Sequence, residues 1–409
     1  MLEYLFAACW VPLAYTYLFY PVLLGCLARL RLSARSGSVA GAGGPPGSEG
    51  TGEQPTVSIL IAALDEEAVI ARKIENCLRL DYNPDRIEIM VASDGSTDRT
   101  VERARAAAAK APAGVRVIVL DFPQRRGKTA LLNECVPRTT GEIIAHTDAN
   151  TLLEGDSLRR VVAPFADPGI GCVVGELVYT NTDEPAVAGG EGLYWRYENF
   201  VKEAESALGS TITANGGIYA IRRALFEPVP EHLVTDAVDP LIVIRRGFRV
   251  VFERRARAHE RAAATLRDEF RRKVRIIRPG LWAWLWARGL LLPPRPLPAL
   301  EYFSHKLLRW LSPVFLAAAF VINLLLASER PYALLLAGQA CFYLVGVCGI
   351  FLASRPARPG APPPPPAARA VLAAGYFLVV NAAAAVGLAQ FLVGIRPRTW
   401  ERSPSTRES

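Results

Sequence analysis

Residues 142–150 read "EIIAHTDAN", an apolar, β-branched run that stops on two short oxygen-bearing side chains, Asp148 and Asn150. A turn accounts for the stop, because Asp and Asn hydrogen-bond their own backbone and end strands. A hard cation accounts for it equally, since alternate residues of an extended chain share a face and such ions take oxygen ligands. The pattern around the stretch decides what kind of strand this is. Upstream, "TVSILIAA" (56–63), "IEIMVAS" (87–93) and "VRVIVLD" (115–121) read as strands, with helices expected over 66–80, 98–110 and 127–136. Strands alternating with helices specify an α/β unit, a mostly parallel sheet covered on both faces. Such sheets bind ligands beyond the carboxyl ends of their strands. Here those ends carry Asp65 and Glu66, Ser93 and Asp94, Asp121, and Asp148.

The rest of the chain is far more apolar. Hydrophobic residues make up 51% of the 409, and the mean hydropathy is +0.19. Four stretches lack any charged side chain: Tyr4–Ala28, Trp310–Ser328, Pro331–Ser354 and Ala370–Ile395. Each is close to the ~20 residues that cross a bilayer core. Glu3 stands where a signal peptide would be basic, and the first run outlasts an h-region, so it reads as an uncleaved anchor. Arg29, Arg31 and Arg35 place the following segment in the cytosol, and Lys306, Arg309, Arg355, Arg358 and Arg369 agree. Arg396, Arg398, Arg402 and Arg407 do not, because four spans would carry them outside.

The expected organisation is an anchor over 1–32, a Gly/Ser/Pro-rich linker over 33–55 and the α/β domain over 56–279. A helix lying in the headgroup layer follows over 280–306, marked by Trp282, Trp284 and Trp286. Membrane helices then fill 307–396, with a polyproline connector near 355–370, and a polar tail occupies 397–409. Seven scattered cysteines form no CxxC pair, so neither zinc nor disulfides are expected. The net charge of +8 suits a protein lying against anionic membrane lipid. No compact basic helix or aromatic-basic motif points to nucleic acid.

Several local motifs have two readings each. In "VASDGSTDRT" (91–100), Asp94 closes a strand, and Ser96 or Thr97 suits a helix cap. "QRRGKTALLN" (124–133) contains GKT, but a P-loop needs Gly where Phe122 stands. Lys128 still opens a helix after a strand, a place where phosphates bind. Thr235 and Asp236 precede an apolar helix and suit an N-cap. Glu198 and Glu205 fall seven apart on one helical face, as an acceptor groove or, more simply, a solvated or salt-bridged face.

Taken together, "SILIAALDEE", "ASDGSTD", "GKTALLN", "HTDAN", "ANGGIYAIRRALF" and "VTDAVDPLIVIRRGFRVVF" occur in the order and spacing of family 2 glycosyltransferases. Over roughly 55–280 the chain resembles the membrane-embedded branch of cellulose, chitin, hyaluronan and poly-N-acetylglucosamine synthases. The resemblance implies a GT-A fold flanked by transmembrane helices in a bacterial plasma membrane. It implies a nucleotide-sugar donor, with Asp65, Glu66 and Asp94 at the nucleoside, and Lys128 and Arg272 on the donor side. Asp148 and Asn150 match the metal motif, so a Mg2+ or Mn2+ ion is implied, although Asn150 supplies an amide where an acid is usual. Asp236 falls at the general base, with Asp239 as its rival, and Thr235 replaces the usual acidic neighbour. Asn215, Gly216 and Gly217 match the sugar-side turn. The synthases' QxxRW signature falls on "RRKVRI", which gives Arg272 and Arg275, with Ile276 in place of the Trp.

The implied reaction is inverting transfer from a UDP-sugar to a glycan or lipid-linked acceptor in cell-surface polysaccharide synthesis. The missing Trp leaves room for single addition to a polyprenyl phosphate or lipid. A transporter or scaffold with a regulatory nucleotide-binding domain is the reading from another class. The charge-free runs oppose it, because coupled transport needs intramembrane charge.

Overall fold

A computed structural model describes residues 1–38, 54–181, 190–263, 265–291, 296–355 and 364–396. Most of the expected linker, part of the polyproline connector and the tail lie outside the described residues.

The expected strands are present as β1 (Val57–Ala63), β2 (Ile87–Asp94), β3 (Arg116–Phe122) and β4 (Ile143–His146), followed by β5 (Leu152–Leu153), β6 (Ile170–Tyr179), β7 (Tyr219–Arg222) and β8 (Arg249–Glu260). They form one sheet in the order β3-β2-β1-β4-β7-β6-β8-β5. Strands β3, β2, β1 and β4 run parallel, as the alternation of strand and helix predicts. β7 enters antiparallel between β4 and β6, and β6 pairs parallel with β8. β1 and β2 are buried along their whole length, which is why they read as continuous apolar runs. Helices Ile70–Leu78, Thr100–Ala108 and Lys128–Cys135 connect these parallel strands, each shorter at its start than the sequence pattern suggests.

Antiparallel pairing of β4 with β7 decides the site. The register sets His146 opposite Tyr219. Just beyond the strands, Asp148 N–H donates to the Gly216 carbonyl at 2.9 Å, and Thr147 Oγ1 to that of Gly217 at 2.7 Å. Two motifs about seventy residues apart in sequence thus become neighbours.

Four helices are long and apolar enough to cross a membrane: Leu2–Arg31, Pro296–Leu325, Arg330–Ala353 and Pro366–Leu392. The first packs Tyr20, Leu24 and Ala28 against Val201 and Ala204 of helix Gly192–Leu208, which ties it to the α/β domain.

The boundaries expected at 280 and 306 are not element boundaries. Leu266–Leu291 is one helix with Pro279 inside it, and the next, interrupted by a π turn, starts at Pro296. Residues 280–287 are also not laid out toward lipid alone. Leu281, Ala283 and Ala287 are buried, and the tryptophans pack on the catalytic domain. The three tryptophans suggested an interface, but at i, i+2 and i+4 they point to two sides of the helix, and protein packs on both.

Starting at Pro296 also carries charge into that apolar helix, as Glu301, His305, Lys306 and Arg309. The counter-charge of Lys306 and Arg309 is Glu198. It is 2% exposed and accepts from Lys306 and, at 2.9 Å, from Arg309 Nη1, with His305 Nε2 at 3.2 Å. Glu205 is fully buried and meets Tyr20 Oη at 3.0 Å and His305 Nδ1 at 2.8 Å. The face is salt-bridged and not solvated. Removing one partner of a buried pair strands the other charge, at about 3–5 kcal/mol. Glu198→Gln is accordingly expected to destabilise the detergent-solubilised protein by that much in denaturant unfolding, with Glu203→Gln on the exposed face of the same helix near neutral.

Candidate active site

A cavity of about 710 Å3 opens at the carboxyl end of the sheet and runs to the membrane helices. Its walls carry Glu66, Lys128, Asp148, Asn150, Asn215, Gly216, Gly217, Asp236, Arg272, Arg275 and Ile276 among the expected residues. The volume falls within the roughly 300–1,000 Å3 of small-molecule sites.

Asp148 is placed by backbone on both sides. Gly216 gives it room, since a Cβ there would come within 2.2 Å of Asp148 Oδ2. Lys128 Nζ donates to Asp148 Oδ1. Burial pulls Lys128 down, but Asp148, Asp236 and Glu260 more than offset this, so its net shift is upward and it stays charged. Asn150 Nδ2 donates to Glu260 Oε1 at 2.9 Å, which brings a further carboxylate to the same wall. Two carboxylates and an amide oxygen fit a hard divalent ion that completes its shell with water and substrate phosphates. They do not fit a closed all-protein cage, and no cluster of three or more His, Cys, Asp or Glu with that geometry occurs among the described residues.

Asp94 and Asp65 do not line the cavity. Asp94 is fully buried, and its two oxygens accept from the amides of Arg126 at 2.8 Å and Gly127 at 2.8 Å. It fixes the loop whose glycine, at φ +96°, turns the chain into the helix that begins with Lys128. Asp65 adopts φ +49° and accepts from Thr97 N–H at 2.7 Å, while its own amide donates to Ser96 Oγ at 3.0 Å. Both carboxylates shape the rim.

Asn215 is likewise committed to its turn. Nδ2 donates to the Gly175 carbonyl at 2.8 Å, and Oδ1 accepts from Gly217 N–H at 3.0 Å.

Asp236 stands in the first turn of helix Thr235–Arg245, half-buried on the cavity wall. Burial pushes its carboxyl up, Lys128 and Lys202 pull it down, and Asp148 pushes it up again; the net direction is upward. Asp239 does not line the cavity. It is buried one turn on, accepts from Tyr219 Oη at 2.8 Å, and is pushed up to about 7 chiefly by burial. Tyr219 in turn stacks on His146 at 4.6 Å, which burial drives down to about 3 and keeps neutral. Of the two candidate bases, only Asp236 faces the cavity.

Arg272 reaches the wall with its guanidinium already engaged by Glu191, by Glu269 at 2.7 Å and by Tyr179 Oη at 2.5 Å. Arg275 and Ile276 line the wall one turn along.

Three contributors escape the sequence motifs. Glu260 ends β8, and the strand-end rule that found Asp148 finds it too. Lys73 is fully buried in helix Ile70–Leu78, with Nζ on Thr147 Oγ1 at 2.8 Å and the Thr151 carbonyl at 2.6 Å. It braces the loop that carries Asp148, and its signal is a lysine on an otherwise apolar face. Lys202 lines the cavity from helix Gly192–Leu208, one helical turn from Glu198.

A family model for glycosyl transferase family 2 matches residues 58–229. The beta-monoglucosyldiacylglycerol synthase of Nostoc sp. strain PCC 7120 is 31% identical over 191 residues, which cover 46% of this chain and 41% of that protein. An N-acetylglucosaminyltransferase of Azorhizobium caulinodans is 25% identical over 209 residues, covering 48% and 52%. The chain thus spans about half the length of the curated relatives it matches. Among solved structures, the mannosyltransferase PcManGT from Pyrobaculum calidifontis, in complex with GDP-Man and Mn2+, superposes with a TM-score of 0.70 at 21% identity, over 96% of this chain and 99% of that one. That likeness extends through the membrane helices as well as the sheet. Residues 58–229 therefore belong to a family 2 glycosyltransferase domain, carried on a GT-A-type fold.

Proposed function

We propose that the protein is an inverting, metal-dependent hexosyltransferase that moves a sugar from a nucleoside diphosphate sugar onto a lipid acceptor in the membrane. The observation that carries this reading is continuity: one cavity joins Asp148 and Asp236 to Tyr17, Arg309, Trp310 and Asn381 on the membrane helices. An acceptor entering from the bilayer reaches Asp236 without leaving protein. The relatives' names, a diacylglycerol glucosyltransferase and an N-acetylglucosaminyltransferase, are compatible with lipid or glycan acceptors. Ile276 in the place of the stacking Trp favours single addition over polymerisation.

Asp236 takes the proton from the acceptor hydroxyl. That oxygen attacks the anomeric carbon from the face opposite the diphosphate, whose bond to carbon breaks with the electrons on the leaving phosphate. Asp148, with Glu260 and Asn150 beside it, would hold a Mg2+ or Mn2+ ion, which when bound supplies positive charge against the diphosphate. Lys128 adds a fixed cation on the same side, and the turn at 215–217 lets backbone approach the sugar.

Calorimetric titration of the purified protein with UDP and GDP tests the donor half. Binding of one of them that needs Mn2+ or Mg2+ is expected, and no binding of either with either metal would remove the reading. A pH profile tests the base. Activity requires ionised Asp236, so kcat/KM is lost as pH falls through its pKa. The upward shift puts that acid limb above the ordinary aspartate range.

A further inference from the structure

We propose that the membrane arm of the cavity is an anion subsite, and that the acceptor is a lipid carrying a phosphate within a few atoms of the hydroxyl that Asp236 deprotonates. The inference rests on the proposed transferase reading and names its acceptor chemistry. Four side chains carry it. Lys202 is 1% exposed and lines the cavity, and no described residue accepts a hydrogen bond from its Nζ. Its nearest partner is the face of Trp195, 5.4 Å from the ring centroid. Arg309 gives only Nη1 to Glu198, and its buried Nε and Nη2 have no acceptor. Trp195 Nε1 and Thr213 Oγ1, on the same walls, are buried without a partner as well.

Buried donors without acceptors each cost free energy, on the order of 1–3 kcal/mol and more for a charge. Three side chains with such donors, together with Lys202, line one cavity and describe a place shaped for oxygen atoms that arrive from outside. The charge agrees. Lys202 feels Glu198 and Glu205, but Lys306 and Arg309 already engage the first and Tyr20, His305 and Thr211 the second, so Lys202 has no direct counter-ion. Lys202 and Asp236 line the same cavity and each shifts the other, which brings the anion within reach of the attacking hydroxyl. A neutral diglyceride would leave these donors unmet. A phosphoglycerol headgroup or a lipid diphosphate sugar satisfies them, because each carries phosphate and hydroxyl close together.

The experiment uses the full chain in detergent with the nucleotide sugar that supports transfer. Matched acceptors are phosphatidylglycerol, a polyprenyl diphosphate sugar and diacylglycerol, assayed with wild type, Lys202→Met and Lys202→Arg. One of the two anionic lipids is expected to accept sugar with a KM at least about tenfold below that of diacylglycerol. Lys202→Met is expected to raise that KM by about tenfold or more, and the diacylglycerol KM by much less; Lys202→Arg restores it. The melting temperature should not fall in Lys202→Met, because the lysine has no hydrogen-bond acceptor to lose. A drop in stability with an unchanged KM for the anionic lipid would make Lys202 structural and overturn the proposal, as would a wild-type KM for diacylglycerol equal to that for the anionic lipids. Nucleoside diphosphate and Mn2+ binding read separately by calorimetry distinguishes the cases. If binding is intact and neither anionic lipid accepts, the subsite proposal alone fails; if binding is absent, the transferase reading fails with it.

Discussion

Asp236→Asn is expected to lower kcat by about 10²–10⁴ while leaving the affinity for nucleoside diphosphate and Mn2+ within about twofold. General-base transfer is typically worth that much, and Asp148, the carboxylate on the same cavity that acts on Asp236, is already paired with Lys128. The change is nearly isosteric, and the Asp236 carbonyl that accepts from Ala214 N–H at 2.9 Å is untouched, so the turn at 215–217 stays in place. Asp239→Asn separates the two candidates. Asp239 is buried against Tyr219 and does not reach the cavity, so its replacement is expected to lower the melting temperature more than kcat. Single-turnover rates and donor titrations on the two variants give both quantities. A full kcat in Asp236→Asn would reassign the base.

Asp148→Ala is expected to abolish metal-dependent donor binding and to lower kcat/KM by about 10²–10³ or more, the scale for removing one preorganised charge from a reacting centre. The mutation also leaves Lys128 without the carboxylate that raises it, and that lysine can then meet a phosphate directly. Residual binding of nucleoside diphosphate should therefore become independent of metal. The control is Gly216→Ala, which keeps every ligand but pushes a methyl to within 2.2 Å of Asp148 Oδ2. A comparable loss there would show that the position of the carboxylate matters as much as its presence. Calorimetry with and without Mn2+ reads both variants.

The alternation of strand and helix was legible from 56 to 148 because buried parallel strands are long apolar runs ended by polar groups. The antiparallel half was not. β7 has four residues and β5 two, too short for any periodicity, and nothing local says that residues 215–222 will fold back on β4. Strand-end acids were legible as positions but not as directions. Asp94 and Asp148 occupy equivalent places, yet one turns into the amides of residues 126 and 127 and the other into the cavity. Loop geometry decides this, and it depends on where Gly127 and Gly216 let the backbone pass. Lys73 and Lys202 were hidden for a different reason. A charged residue on a helix reads as solvated until the tertiary structure covers it, as the loop that carries Asp148 does for Lys73. The boundary at 306 failed similarly, since a charge-free run marks where lipid can touch a helix and not where that helix begins.

The most direct measurement of the central claim is the product formed by purified protein from radiolabelled UDP- and GDP-sugars with Mn2+, resolved into lipid-extractable and polymeric fractions, with Asp148→Ala and Asp236→Asn in parallel. One labelled sugar on extracted lipid, lost in both variants, is the predicted result. Long lipid-free polymer, or label that persists in either variant, would contradict the account.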